Sequence, residues 1–392
     1  MILHVDFPNE DLLVFKSTGS QSHSGHIATI DCRPDFTAAF KSDWGDEGTT
    51  LWPCIRLVGG KASEGKSREG QEEQAMTYLY YLLMARPDLY VAQGLFTTEN
   101  DILFLLGIGG IGIFAYSVGW GSEELHRLMY AFIYRLYDPG DFADLSFVKM
   151  VPDLKESFVT YNVQIAGANG VDRSPITITN LRPTYAGNPF GTRTHILSNP
   201  NPEVRINGEP LTVLKEQLCQ VGTWFHEYSI LTRVHTPEKV PGVVEAVYHE
   251  VIKIPSSCLT REKHRIGLQQ AGKDLTSIPT VMQVLEIIFD ILEGSLSLII
   301  HTLYAHSFAV LQYLRFKRHV LHRDISIGNI LYVEDDLPTS IGTWTGGVNE
   351  VRQVPEAVGP EGLPLCFIKY LLGERCVEMP HNQAYTNVIL IQ

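Results

Sequence analysis

Apolar positions along this chain change their period several times, and each change marks a different element. Short apolar runs at 36–40 and 51–58 read as strands or the approaches to strands, and a polar, glycine-containing loop follows over 59–70. Ala75, Tyr78, Leu79, Leu82 and Leu83 then recur at helical spacing, which predicts a helix over 72–86 with one apolar face. Arg86-Pro87-Asp88 stops it, because the residue before a proline is driven out of the helical region. Segments 90–96 and 102–106 read as strands around the turn Thr97-Thr98-Glu99-Asn100-Asp101. A second helix is predicted over 125–136, closed by Asp138-Pro139-Gly140-Asp141. The sum is a helix packed on a mixed sheet, an α/β N-terminal domain over 31–165.

Residues 1–30 are polar and rich in turn formers, as in Ser17-Thr18-Gly19-Ser20-Gln21-Ser22, and predict a mobile lead-in with little core. The stretch 169–210 is rich in Pro, Gly, Asn and Thr with β-branched runs such as Ile176-Thr177-Ile178-Thr179, and predicts a strand-and-turn lobe. Helical periodicity returns at 220–234 and dominates 279–318, after which short apolar strands at 319–321 and 330–333 flank a polar loop. These changes predict a second domain over 166–345 and an irregular tail over 346–392. The fold class expected is α+β.

Two apolar stretches resemble membrane spans in length only. The segment 102–118 is broken by Gly107, Gly109, Gly110 and Gly112, which suits adjacent strands joined by a turn. The segment 295–314 contains His301 and His306 and follows Glu286, Asp290 and Glu293, which suits a buried helix. No membrane partner is expected. With 31 basic against 44 acidic residues the net charge is −13, which removes the electrostatic footprint of a general nucleic-acid binder. The six cysteines show no CxxC spacing and argue against both a zinc module and a disulfide framework. They read as reduced thiols of an intracellular protein, cytoplasmic or nuclear. Nothing after Met1 has the basic and apolar regions of a secretory signal.

The polar loop near 322 carries the candidate chemistry. Asp324 in His322-Arg323-Asp324 stands five residues ahead of Asn329, between the two predicted strands. Phosphoryl transfer needs a carboxylate to orient or accept the proton of the substrate hydroxyl, and an amide oxygen to hold a magnesium ion at the nucleotide phosphates. Asp324 and Asn329 match those needs, with Arg323 and His322 in supporting roles.

The run His322-Arg323-Asp324-Ile325-Ser326, followed by Gly328-Asn329-Ile330-Leu331, resembles the catalytic loop of the fungal-type protein kinases. The resemblance covers about 30–345 in patches. It implies a two-lobed protein-kinase-like domain, ATP and Mg2+ as cofactors, and phosphorylation of protein Ser or Thr. Ser326 stands where most protein kinases have a lysine. The family layout also implies a strand lysine, Lys215, paired with a helix glutamate, Glu227, so that the lysine is fixed against the phosphates. A solvated lysine and a surface glutamate are the alternative. Gly191, in Phe190-Gly191-Thr192-Arg193-Thr194-His195, corresponds in part to the family's phosphate loop, and an ordinary strand turn is the alternative there. Adenine contacts are expected near 265–270.

The pattern breaks after Asn329. A kinase supplies a second metal aspartate a dozen or more residues on. Here the chain runs Glu334-Asp335-Asp336-Leu337-Pro338 into Ser340-Ile341-Gly342-Thr343-Trp344 without that motif, and 294–312 reads as an insertion. A catalytically inactive pseudokinase acting as a binding or scaffold protein is therefore the rival expectation. A small-molecule kinase is a third, disfavoured by Arg323.

In the N-terminal half, Arg33-Pro34-Asp35 followed by Gly60-Lys61 or Gly65-Lys66 resembles elements of the PD-(D/E)xK nuclease core. Such a nuclease holds metal between two carboxylates. Glycine replaces the second carboxylate around Val58-Gly59-Gly60-Lys61, leaving only a displaced Glu64, so a structural or docking domain is predicted.

Overall fold

The computed structural model describes residues 11–19, 23–28, 32–46, 48–61, 68–167, 174–201, 203–222, 226–239, 243–254 and 261–269, with strand segments at 273–274, 320–322, 331–332 and 386–388. The class is mixed α+β and strand-rich. The chain divides into two compact units, one of Met1–Thr223 with Val247–Gln269, the other of Trp224–Ala246 with Gln270–Gln392.

The first unit opens with a six-stranded sheet: β1 (Leu13–Ser17), β2 (Phe36–Phe40), β3 (Leu57–Lys61), β4 (Val91–Thr97), β5 (Asp101–Ile108) and β6 (Gly112–Gly119), in that spatial order. Only β3 and β4 are parallel, and α1 (Arg68–Ala85) makes the crossover that a parallel pair requires. α2 (Glu123–Tyr137) follows β6. Alternating strand residues feed two cores. Val58, Phe96, Leu103 and Leu105 pack with Tyr78, Leu79, Leu82 and Leu83 of α1. Leu57, Leu95, Ile102 and Phe104 pack with Leu125, Phe132 and Leu136 of α2. A sheet covered on both faces explains why β4 and β5 are apolar at nearly every position. At the start of α2 the Ser122 hydroxyl accepts from the Glu124 amide at 3.2 Å, a side-chain cap reinforced by acidic residues in the first turn.

The lead-in expected over 1–30 does contribute core. Leu13-Val14-Phe15 pairs with β2 as an edge strand, and His23 and His26 set their rings edge-on to the fully buried Trp52, at centroid distances of 6.1 and 5.7 Å. The turn formers at 17–22 concealed an apolar run before them and, after them, one buried and one half-buried histidine ring.

α1 ends where Arg86-Pro87-Asp88 predicts. Arg86 is wholly buried, donates from Nε and Nη2 to the two Asp88 oxygens at 2.8 and 2.6 Å, and donates from Nη1 to the Ile55 carbonyl at 2.9 Å.

A seven-stranded antiparallel sheet completes the unit. Its strands are β7 (Phe147–Asp153), β8 (Phe158–Ile165), β9 (Ile176–Ala186), β10 (His195–Ser198), β13 (Val213–Gln220), β14 (Ala246–Lys253) and β15 (Arg261–Leu268). A small hairpin, β11 (Arg205–Ile206) with β12 (Glu209–Pro210), interrupts the path from β10 to β13. The spatial order is β14-β15-β13-β10-β9-β8-β7. The division expected at 165/166 therefore runs through one sheet, because β7 and β8 pair onward to β9. The two sheets are also joined at the end of α1, whose last carbonyls lack partners within the helix. Arg193 donates from Nη2 to the carbonyls of Leu83 and Arg86 at 3.3 and 2.8 Å, and His195 Nε2 lies 3.2 Å from the carbonyl of Met84.

In the second unit α3 (Glu227–Val234) follows β13 in the chain, seven residues after the point at which helical periodicity was expected to begin. β16 (Lys273–Asp274), β17 (Val320–His322), β18 (Leu331–Tyr332) and β19 (Thr386–Val388) are short. β16 pairs antiparallel with β18, and β17 pairs parallel with β19. β17 and β18 fall where strands were predicted on either side of the polar loop. The helical stretch 279–318, the insertion 294–312 and, apart from β19, the tail 346–392 lie outside the described residues. Among the described residues no helix is long and apolar enough to cross a membrane.

Candidate functional site

Lys215 sits in the middle of the seven-stranded sheet. Its strand β13 lies between β10 and β15, with Ile196 and Ile266 as its cross-strand neighbours, and its side chain is buried. Because side chains alternate along a strand, Lys215 and Gln217 share one face of the sheet while Leu214, Glu216 and Leu218 share the other. Glu227 opens α3 and belongs to the second unit, as does His322, the last residue of β17. Arg323, Asp324 and Asn329 lie outside the described residues.

The loop carrying Gly191 joins β9 to β10 and adjoins the end of β13. The Leu218 amide donates to the Thr192 carbonyl at 2.7 Å, and Gln217 Nε2 donates to the Thr194 hydroxyl at 3.3 Å. Within the loop the amides of Gly191 and Arg193 both donate to the Asn188 carbonyl at 3.2 Å, and the Phe190 amide donates to Asn188 Oδ1 at 3.0 Å. Its carbonyls are engaged too. Pro189 accepts from the Gly110 amide at 2.7 Å, and Gly191 accepts from Arg261 Nη1 at 3.1 Å. Phe190 packs on Tyr80 of α1, and Arg193 turns inward in a left-handed conformation (φ 41°) to cap that helix. Burial lowers the Arg193 guanidinium to about 10, still charged at neutral pH. A phosphate cradle presents free backbone amides to its anion. The Gly191 amide is directed to Asn188 instead, so the geometry here is that of a docked strand turn.

On the opposite face from Lys215 lies a cluster of charges that the sequence did not reveal as a group. Lys263 Nζ is 2.6 Å from both Asp144 Oδ2 and Glu216 Oε2. Arg265 donates from Nε to Glu216 Oε1 at 2.7 Å and from Nη2 to the Ser146 hydroxyl at 2.6 Å, and its Nη1 lies 3.3 Å from Glu250 Oε1. Burial by itself would raise the Asp144 carboxyl, but Lys263 and Arg265 outweigh it and hold the group well below the usual carboxylate range. Burial likewise works against the Arg265 charge, and Glu216, Asp144 and Glu250 reverse that, raising it above its ordinary value. The Tyr90 hydroxyl next to the cluster is pushed up by burial and by the nearby Asp144 and Glu216 carboxylates, so it stays protonated. Asp144, Glu216, Lys263 and Arg265 are almost completely closed to solvent, and Glu250 is half-buried. They fasten β13 and β15 to the segment that leads into β7. The available signal was charge at alternate positions inside apolar strands, Glu216 beside Leu214 and Leu218, and Lys263 beside Arg265.

The nuclease-like elements also have a definite place. Asp35 Oδ2 accepts from the Lys61 amide at 2.7 Å, so the aspartate and the lysine strand are adjacent. The second carboxylate would stand at Gly59. A Cβ there would meet Phe36 Cζ at 2.1 Å and the Leu95 carbonyl at 2.7 Å. The Phe36 ring occupies the space of a second metal ligand at that position, so among the described residues the metal site of a nuclease is not built; Glu64, Gly65 and Lys66 lie outside them.

Comparison with protein-family models, with curated proteins and with solved structures finds no match to this chain.

Proposed function

We propose that the chain carries a two-lobed protein-kinase-like domain that uses ATP and Mg2+ to phosphorylate Ser or Thr of a protein. The reading rests on the resemblance of 319–331 to the fungal-type protein kinases, and one structural observation supports it. A kinase needs its lysine on the third strand of the upper sheet and its glutamate on the helix that follows. Counted from β9 and leaving aside the separate β11-β12 hairpin, Lys215 is on the third strand, β13, and Glu227 stands in the first turn of the next helix in the chain, α3. In this reading Lys215 binds the α- and β-phosphates and Glu227 orients Lys215. Asp324 takes the proton of the substrate hydroxyl, and His322 and Arg323 brace the loop that carries it. Asn329 would hold the magnesium ion, which neutralises phosphate charge. The N-terminal α/β domain, vaguely like a PD-(D/E)xK core, has a structural or docking role.

A second reading, a pseudokinase that binds nucleotide or a partner without transferring phosphate, is favoured by the docked 187–194 loop. The missing second metal aspartate points the same way, since a single electrostatic contribution to a transition state is commonly worth ~3 kcal/mol.

The test is magnesium-dependent ATP binding and turnover by the full chain, beside Asp324→Asn and Lys215→Met. The expected result is turnover by the wild type that both substitutions abolish, with ATP binding retained by Asp324→Asn and weakened by Lys215→Met. Binding without turnover by the wild type selects the pseudokinase. Neither binding nor turnover overturns the nucleotide site altogether.

A further inference from the structure

Among the described residues the two large sheets end in four edge strands, β1, β6, β7 and β14. Three of them carry residues that discourage pairing with another chain: Lys16 in β1, Lys149 and Pro152 in β7, and Glu250 and Lys253 in β14. β6 has no such guard. Its sequence, Gly112-Ile113-Phe114-Ala115-Tyr116-Ser117-Val118-Gly119, contains neither charge nor proline. Residues 114–117 are all exposed, Phe114 at 54% and Tyr116 at 51%. The strand is nonetheless firmly held, paired with β5 along its whole length and anchored by Val118 in one core and Ile113 against the other.

We propose that β6 is the seat of a symmetric dimer, in which it pairs antiparallel with β6 of a second copy of this chain. A neutral strand brings no like charges face to face, which matters in a chain of net charge −13. The ends of the strand are complementary. Asp101 lies opposite Gly119, and Glu124 accepts from the Tyr116 hydroxyl at 3.1 Å, so the C-terminal end is acidic. At the other end Arg261 packs on the Gly110 turn, where a Cβ would meet its Cδ at 2.7 Å. Antiparallel pairing about a two-fold axis sets each acidic end beside the basic end of the partner, whereas parallel pairing would oppose like ends. The period of two puts Phe114 and Tyr116 on one face, where each covers the strand of the other copy.

The area sets the strength. Two half-exposed aromatic rings contribute on the order of 100 Å² each. With the strand edge they bury roughly 500 Å² per copy, below the ~800 Å² of a standard interface. An interface of this size belongs with weak, transient associations.

Sedimentation velocity on the full chain over a micromolar concentration series tests this. The wild type is expected to show a reversible monomer–dimer equilibrium. Phe114→Lys and, on the other face of the strand, Ser117→Lys are each expected to weaken it at least tenfold while circular dichroism melting stays unchanged. A wild type that remains monomeric throughout overturns the proposal, leaving β6 to a different protein. So does a dimer that survives both substitutions in folded protein. If one variant misfolds, the other decides.

Discussion

Lys263 Nζ stands 2.6 Å from Asp144 Oδ2, and both side chains are almost completely withdrawn from water. Their positions, 119 residues apart in the chain, tie β15 to the segment entering β7. Removing one member of such a buried network leaves opposite charges uncompensated, a loss of about 3–5 kcal/mol. Asp144→Asn is expected to destabilise the first unit by that amount in urea unfolding. The acid limb follows with its sign. The folded-state pKa of Asp144 is depressed, so its contribution is complete above the unfolded value near ~3.9 and fades as pH falls below it. The variant should lose that part of its acid sensitivity.

His195 sets a second, higher pH window. Burial, with the nearby Arg193 and Lys263 charges, lowers its pKa well below the ordinary histidine value, and burial lowers His23 and His26 as well. A depressed histidine contributes stability above its unfolded pKa and loses it as pH falls. Each such group costs about 1.4 kcal/mol per pH unit below ~6.5 until its folded value is reached. Thermal melts are expected to drop between pH 7 and pH 5, and His195→Gln should show a shallower drop.

Arg193 closes the carbonyl end of α1, and this task leaves little tolerance for substitution. Arg193→Ala removes the donors to Leu83 and Arg86 and leaves both carbonyls buried. An orphaned buried polar group costs ~1–3 kcal/mol. A loss of about 2–4 kcal/mol is expected in denaturant unfolding, and hydrogen exchange should speed up selectively in the last turn of α1.

Gly59 provides a test of the N-terminal domain. Restoring a carboxylate with Gly59→Glu is expected to yield no metal-dependent nuclease activity, because the side chain would displace Phe36 and press on the Leu95 backbone. Even Gly59→Ala should cost about 1–3 kcal/mol by overpacking. A well-folded Gly59→Glu protein that cleaves DNA with magnesium would reverse this conclusion.

Much of the first sheet was legible in the sequence. α1 and α2 declared themselves by apolar faces of helical period, and β4 and β5 by short apolar runs around the turn at 97–101. The glycines between β5 and β6 marked a hairpin where a hydropathy window alone would suggest a span. β1 was hidden because Ser, Thr and Gly just after it outweighed three apolar residues. The start of α3 was expected too early because Val221, Trp224 and Phe225 precede Tyr228 and Leu231 at helical spacing. The partners of Asp144 were beyond reach, since long-range pairing of charges leaves no local period. Lys215 and Glu227 are candidates through family layout alone, and neither composition nor spacing would have singled them out.

The seven-stranded sheet takes strands from both sides of α3, and this has a consequence for synthesis on the ribosome. β13 obtains its neighbour β15 only after residues 224–246 have been made and set aside into the second unit. Until about residue 268 has emerged, the nascent first unit carries an unfinished sheet in which Glu216 has neither Lys263 nor Arg265 beside it. A fragment cut at 165 would present Tyr161, Val163 and Ile165, all buried in the whole protein, along an open edge. Expression of the N-terminal half by itself is thus a recipe for aggregation, and the shortest soluble piece of the first unit should extend to the end of β15.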